Sequence, residues 1–503
     1  MYKFTTEDNT YSNYKIIDSL TQETITNNTI NPFELKLFHN DTFNLPNIIV
    51  YSYVRLNKYN AGILVLNKTY GKEGKKFLYL CIPDNKQLPH FLIPYSIPIN
   101  FDKSNYNLYI TFEYKHWDNK YPHGIITQNF GNVNDPLHYY EYLMYCKNLN
   151  VSIQSFTQQA NSCIDKNEHI IDEIIEKYNI NYRNDKVFTI DANNSIDLDD
   201  GISIKNDIIS IYISNVPIII DYLKLWDSFT NRISNIYLPH KKYNMLPTIL
   251  GQLCSLNKNT KRICFIMDYN VVTEETHISI GYVKIKHNYF YNDETIENNE
   301  DYKKIKELYP YKNSSQIISS LMIKCNTVCA DYMKEYKNGI YKSISNNEII
   351  SDSNYNNYND VNNYLHITSP IRRLVDILNM YKLCENREMF KFTNDASTFY
   401  LNWIEKIEYI NTVNKKIRKV QSNCNILNAC LLNNHGLYKG TIFDKEITHD
   451  NKYKYQVYLN NLKVYSKIIH NTELLETEEY TFKLYVFQNE ISLKKKIKLE
   501  III

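Results

Sequence analysis

Cysteine pairs at metal-binding or redox spacing are missing from this chain. Its ten cysteines contain no C-x-x-C, and the nearest neighbours, Cys325 with Cys329 and Cys424 with Cys430, match neither a zinc site nor a thiol–disulfide motif. Long apolar runs are missing too. No stretch approaches the roughly 18 residues that a membrane helix needs, and the start, MYKFTTEDNT, lacks the basic-then-apolar pattern of a signal peptide. The expectation is a reduced, cytoplasmic protein, with the nucleus still open and no membrane partner. Charge of one sign is not in excess: 57 basic against 55 acidic residues leave a net +2. That excludes a broad cationic coat and confines any nucleic-acid contact to local patches. No repeat of solenoid period is present. Glycine is scarce, at 11 residues, while tyrosine reaches 46. With abundant Asn, Ile and Lys, this is the codon bias of an A/T-rich genome, such as that of a large DNA virus or a parasite. A tyrosine therefore has to be argued as a base-stacking platform site by site.

What is there is enough for several cores. The chain has 503 residues, 43% of them hydrophobic, which excludes wholesale disorder and implies several domains of about 100–200 residues each. Short β-type runs with polar turns (NIIVYSYVRL, AGILVLN, KFLYLCI, NLYITFEY) predict a small barrel over 45–135. The pattern is helical from about 137 to 180, mixed over 187–290, and helical again at 313–335 and 370–435. Strand patterns return in 437–503 and predict a second small barrel. The Asn-rich stretch 343–364 reads as a loop.

The segment FTIDANNSIDLDDGISI, 188–204, crowds Asp191, Asp197, Asp199 and Asp200 into ten positions between two strands. Two carboxylates about 4 Å apart repel by roughly 4 kcal/mol at an effective dielectric of 20, so the cluster must be solvated, partly protonated or neutralised by a cation. Hard cations such as Mg²⁺ take oxygen ligands and keep positions for water or phosphate, and two such ions are the usual clamp for attack on a phosphodiester. An EF-hand does not fit: counting from Asp197, Ile202 and Ile208 stand where Gly and Glu are required. A merely solvated acidic turn fits poorly with the β-branched flanks and the apolar IDL inside the loop.

The segment YLHITSPIRRLVDIL, 364–378, reads as a helix start, with Ser369 as N-cap and Pro370 in the first turn. Ile371, Leu374, Val375 and Leu378 form its apolar stripe. Arg372 and Arg373 would then sit at the positive end of the helix dipole, where a bound phosphate would reconcile them. The plainer alternative is an ion pair of Arg372 with Asp376 and a solvated Arg373.

Together these motifs resemble the RNase II (RNB) family of processive 3′→5′ exoribonucleases, most closely the eukaryotic branch that includes the catalytic nuclease of the exosome. DANNSIDLDD is similar to the family's D-x5-D-x-D-D signature, and HITSPIRRLVD to its second hallmark. ISNIYLPHKKYNMLPTILGQLCSLNKNTKRICF, 233–265, SSLMIKCNTVCADYM with Asn326, and HWDNKYPHGIITQNFGN, 116–132, follow in family order. The resemblance covers about 45–435. It implies a multidomain α+β protein: a central mixed α/β RNB catalytic domain, 136–435, flanked by all-β OB-fold barrels at 45–135 and 436–503. Residues 1–44 would be the remnant of a first cold-shock barrel.

The resemblance further implies a Mg²⁺-dependent exoribonuclease with one or two ions, Mn²⁺ substituting, that threads single-stranded RNA. Asp191, Asp197 and Asp200 would hold the first ion. Asp199 would serve a second ion and be catalytic together with Arg372, which would contact the scissile phosphate. Tyr237 would stack on a base, and Ser369 and Arg373 would also touch RNA. A monomer is expected, and an exosome-like complex is a candidate partner. Where the family carries histidine and aspartate after the acid loop, this chain has Tyr212 and Asn215. Ser319 and Ser320 replace a glutamate, and Met380 and Tyr381 replace a His-Arg pair. Two other readings stay open: an RNA-binding protein on a decayed nuclease scaffold, and a DNA-directed phosphoesterase.

Overall fold

The computed structural model describes all residues except 26–30, 46–47, 99–105, 165–168, 194, 311, 344–348, 352–360, 433–435, 463, 477, 489–494 and 503. Its architecture is mixed α+β and falls into two compact units, 1–150 with 238–241 and 416–503, and 151–237 with 242–415. Among the described residues, no helix is long and apolar enough to cross a membrane.

In the first unit, five strands between Tyr2 and Tyr51 form one sheet, and Asn60–Glu73, Lys76–Pro83, Phe91–Tyr95, Leu108–His116 and His123–Asn132 close a barrel. The period-2 runs read from the sequence supply its inward face. Leu64, Cys81, Phe91, Ile93, Ile110 and Phe112 join Phe4, Ile16 and Phe43 of the N-terminal sheet, and Phe38 of the loop before Thr42, in one core. Gly62 sits where strands cross closely, and a Cβ there would come within 2.6 Å of the Cys81 Sγ. The tail, from Leu437 to Ile502, forms a five-stranded antiparallel sheet over a core that includes Tyr438, Ile442, Tyr455, Val457 and Phe482.

The second unit is built on a six-stranded sheet ordered Thr276–Lys284, Lys261–Asn270, Ile208–Ser214, Asp200–Lys205, Phe188–Asp191 and His287–Phe290. Its strands are Ile-rich and buried on both sides (Ile202, Ile211, Ile213, Phe265 and Met267 on one face and Tyr212, Cys264 and Ile266 on the other are all at 0% exposure), so they read as apolar runs rather than clean alternation. The helix Ser314–Glu335 starts at a capping box between Asn313 and Gln316 and packs its Ile317, Leu321 and Cys325 into that core. Parts of the Asn-rich stretch are strands: Ile349–Ser351 and Val361–Leu365 flank Ile340–Ser343 in a three-stranded sheet. The rest of that expected loop, 344–348 and 352–360, lies outside the described residues.

The departures from the family pattern are structural. Tyr212 is fully buried and donates its hydroxyl to Asp185 Oδ2 at 2.8 Å. Asn215 is also buried and caps the helix Val216–Tyr222. Met380 and Tyr381 fill the core side of Leu374–Asn386, and Ser320 bonds back to the Gln316 carbonyl within its own helix.

Candidate active site

The four aspartates occupy the ends of two neighbouring antiparallel strands and the loop joining them: Phe188–Asp191 runs into the loop, and Asp200–Lys205 leaves it. The cysteine-serine-leucine run at 254–256 holds that loop. Leu198 N–H donates to Ser255 Oγ at 2.9 Å, the Ser255 hydroxyl donates to the Ile196 carbonyl at 3.0 Å, and Leu256 N–H donates to the Leu198 carbonyl at 3.0 Å. Three backbone-directed bonds therefore fix where the acids point.

Each acid then meets a different environment. Asp197 accepts a bond from the Asn235 amide at 2.8 Å and forms an ion pair with Lys242. Asp199 is about 1% exposed, and both its oxygens are engaged: Oδ1 accepts the Ile371 N–H at 2.8 Å and Oδ2 the Arg372 Nε at 3.0 Å. Burial raises Asp199 to about 7, with Arg372 and the Ile371 N–H pulling the other way. Among the described residues, Asp191 and Asp200 form no ion pair. Burial raises both, the charge of Asp191 adds to the effect at Asp200, and the charge of Arg372 lowers both only from a distance. Asp191 Oδ2 is buried without a hydrogen-bond partner, a position that is costly for a carboxylate unless a cation reaches it. Among the described residues, no three of the four aspartates bring carboxylate oxygens within 4.8 Å of one another. Asp191 and Asp200 are the pair that feels Arg372 only at a distance, while Asp197 and Asp199 are turned toward Lys242 and Arg372.

The arginine segment departs from its expected form. The helix begins at Leu374, and Arg373 is its N-cap at φ −141°, ψ 126°, so neither Ser369 nor Pro370 starts it. The local capping preference loses to tertiary carboxylates. Ser369 N–H donates to Asp376 Oδ1 at 2.7 Å, Ile371 N–H is taken by Asp199, and Ser369 Oγ accepts from Arg372 Nη2 at 3.0 Å. Residues 369–373 are thereby held as a turn against 233–235, with Asn235 N–H on the Arg372 carbonyl and Leu374 N–H on the Ile233 carbonyl. The ion pairs also differ from the alternative read in the sequence: Arg372 pairs with Asp199, and it is Arg373 that pairs with Asp376.

Arg372, at 44% side-chain exposure, is the cation presented outward. Tyr237 is 43% exposed in a two-strand ladder with Lys242, whose ammonium lies 5.9 Å from the ring centre. The structure thus gathers Asp199, Arg372 and Ser369 in one cluster, sets Asp191 with Asp200, and places Asp197 beside Tyr237. Sequence reasoning missed Asn235, Lys242, Ser255 and Asp376 as parts of the site. Lys242 and Asn235 lie in the quoted run 233–265, but nothing local marks either as the partner of Asp197. Asn326 holds the neighbouring strand in place: its amide donates to the Tyr364 hydroxyl at 2.9 Å and its oxygen accepts the Ile367 N–H at 3.0 Å.

Residues 179–304 match the RNB domain. DIS3-like exonuclease 2 of Schizosaccharomyces pombe is 26% identical over 209 residues, 38% of this chain but only 22% of that protein's length. Among solved structures, RNase R of Mycoplasma genitalium in complex with double-stranded RNA superposes with a TM-score of 0.62 at 16% identity, covering 92% of this chain and 98% of that one. Yeast Ssd1, a pseudonuclease, superposes with a TM-score of 0.53 at 13% identity, covering 90% and 70%. At these identities the structural matches establish the fold alone.

Proposed function

We propose, from the match of residues 179–304 to the RNB domain, that the chain is a magnesium-dependent 3′→5′ exoribonuclease that hydrolyses single-stranded RNA to 5′-nucleoside monophosphates. The observation that carries this reading is the pair Asp191 and Asp200, with an orphaned buried oxygen on Asp191, in the same loop as Asp199, which anchors the arginine turn through Arg372. That donor set fits a hard cation, which accepts one or two carboxylates and leaves room for water and phosphate oxygens. Asp191 and Asp200 would hold it, and Asp197 and Asp199 would join them only on exchanging Lys242 and Arg372 for a second ion. When bound, such an ion supplies positive charge for in-line attack of water on a phosphodiester.

The chain's own residues do the rest. Asp199 fixes the Arg372 guanidinium through Nε, and Ser369 fixes it through Nη2, so its outer N–H groups are aimed in advance at a phosphoryl oxygen. The exposed Tyr237 ring offers a face to a base, worth about 1–3 kcal/mol and tolerant of sequence. The OB-type β domains supply sequence-tolerant contacts to the strand.

The test uses 5′-labelled single-stranded RNA and the equivalent DNA with Mg²⁺ or Mn²⁺, comparing the protein with Asp199→Asn. A ladder shortening from the 3′ end of RNA only, absent in the variant, is expected. Tight RNA binding without cleavage under every ion would overturn the proposal. A second reading, RNA binding without catalysis, is favoured by one observation: Lys242 and Arg372 already neutralise Asp197 and Asp199. That second outcome would establish it.

A further inference from the structure

A second cluster of ligating side chains lies in the closed barrel, in the unit that does not contain the acid loop. Glu73 ends the strand Asn60–Glu73, His116 ends Leu108–His116, and His123 begins His123–Asn132. The last two strands form a hairpin in which His116 and His123 are register partners. Each of the three residues offers a ligand atom within 4.8 Å of the others, and all three are half-buried. The imidazole rings lie nearly parallel with centres 4.5 Å apart, and His123 Nδ1 is 3.4 Å from Glu73 Oε2.

Two further contacts complete the surroundings. Lys115 pairs with the other oxygen of the same carboxylate, Glu73 Oε1, and Asp118 Oδ2 lies 2.8 Å from His116 Nδ1. Among the described residues, Lys115 is the lysine that competes for Glu73, and it occupies the oxygen that does not face His123. A carboxylate on an imidazole nitrogen is the outer contact that commonly orients a metal-ligating histidine.

We propose that Glu73, His116 and His123 form a binding site for a borderline transition-metal ion of the Zn²⁺ class, which would clip the Glu73 end of one hairpin to the His116–His123 hairpin of the barrel. Two imidazoles and one carboxylate suit Zn²⁺ or Co²⁺ and not Mg²⁺, which takes oxygen ligands. The fourth position is left to water. Nothing in this site depends on the aspartate loop, so it stands or falls apart from the nuclease reading. It also supplies the metal chemistry that the absence of a C-x-x-C had excluded for the cysteines.

The experiment is titration of the full, metal-stripped chain with Co²⁺, followed by its visible d–d absorption, and displacement with Zn²⁺. Expected, with a large excess of Mg²⁺ present throughout to occupy the aspartate loop, is one equivalent of Co²⁺ bound with the intense spectrum of a four-coordinate nitrogen–oxygen site and displaced by stoichiometric Zn²⁺. His116→Gln and His123→Gln should each weaken binding at least tenfold while leaving the melting temperature in chelator and the Mg²⁺-dependent RNA hydrolysis unchanged. Near-ultraviolet thiolate-to-cobalt charge transfer, which would locate the ion at the cysteines, would overturn the proposal. So would binding that survives in both histidine variants, or no stoichiometric binding at all.

Discussion

Asp199→Asn separates the electrostatic cost of this side chain from its use, because stability and activity should respond differently. The carboxylate is buried and raised from 3.8 to about 7. At roughly 1.4 kcal/mol per pKa unit, that corresponds to about 4 kcal/mol of stability lost when it ionises in the folded, metal-free protein. Between the two values the folded protein keeps a proton that the unfolded chain has released. This contribution is therefore fully present below about pH 4 and is lost as pH rises through about 7. Asparagine keeps an acceptor for the Ile371 N–H but presents an amide N–H to Arg372 Nε, forfeiting a charge-assisted bond worth about 1.5–3 kcal/mol. The two effects oppose each other. Urea unfolding in chelator at pH 8 should place the variant within about 2 kcal/mol of the wild type, with a flatter pH dependence between 5 and 8. RNA hydrolysis with Mg²⁺ should nevertheless fall by about 10³-fold, because the guanidinium loses its anchor and the site loses a charge. A variant destabilised by more than about 4 kcal/mol with an unchanged pH slope would refute the reasoning, since Asp199 would then be ionised throughout and held by its ion pair.

Lys242→Met strips the cation from Asp197. The metal-free protein should lose about 1 kcal/mol, and the rise in melting temperature on adding Mg²⁺ should exceed that of the wild type. Tyr237→Ala should weaken single-stranded RNA about 5- to 150-fold by filter binding, at the stacking value of roughly 1–3 kcal/mol per base, with the melting temperature unmoved because the ring is 43% exposed. Asn326→Ala leaves the Ile367 N–H buried without its acceptor and should cost about 2–4 kcal/mol in urea unfolding, along with a fall in hydrolysis as the following turn loosens.

What was legible in the sequence was whatever repeats locally. Strand periodicity foretold the closed barrel, the helical pattern over 313–335 matches the helix Ser314–Glu335, and four acids in ten positions betray their cost without any partner in view. What could not be read was which cation answers which acid. The contacts from Asp199 to Arg372, Asp197 to Lys242 and Leu198 to Ser255 span 173, 45 and 57 residues, and no local preference encodes them. The segment at 369–373 shows the two kinds of information in conflict. Ser-Pro is a sound helix start by local rules, yet Asp199 and Asp376 each take a backbone N–H that the helix would otherwise leave to a cap. The turn that results keeps Arg372 out of the helix, with its Nε on Asp199 and its far edge outward. A guanidinium in the first helical turn would sit against the positive end of the dipole; one held by a buried carboxylate is oriented before any phosphate arrives. The misread helix start and the candidate catalytic geometry therefore have the same cause, the reach of Asp199 across the fold.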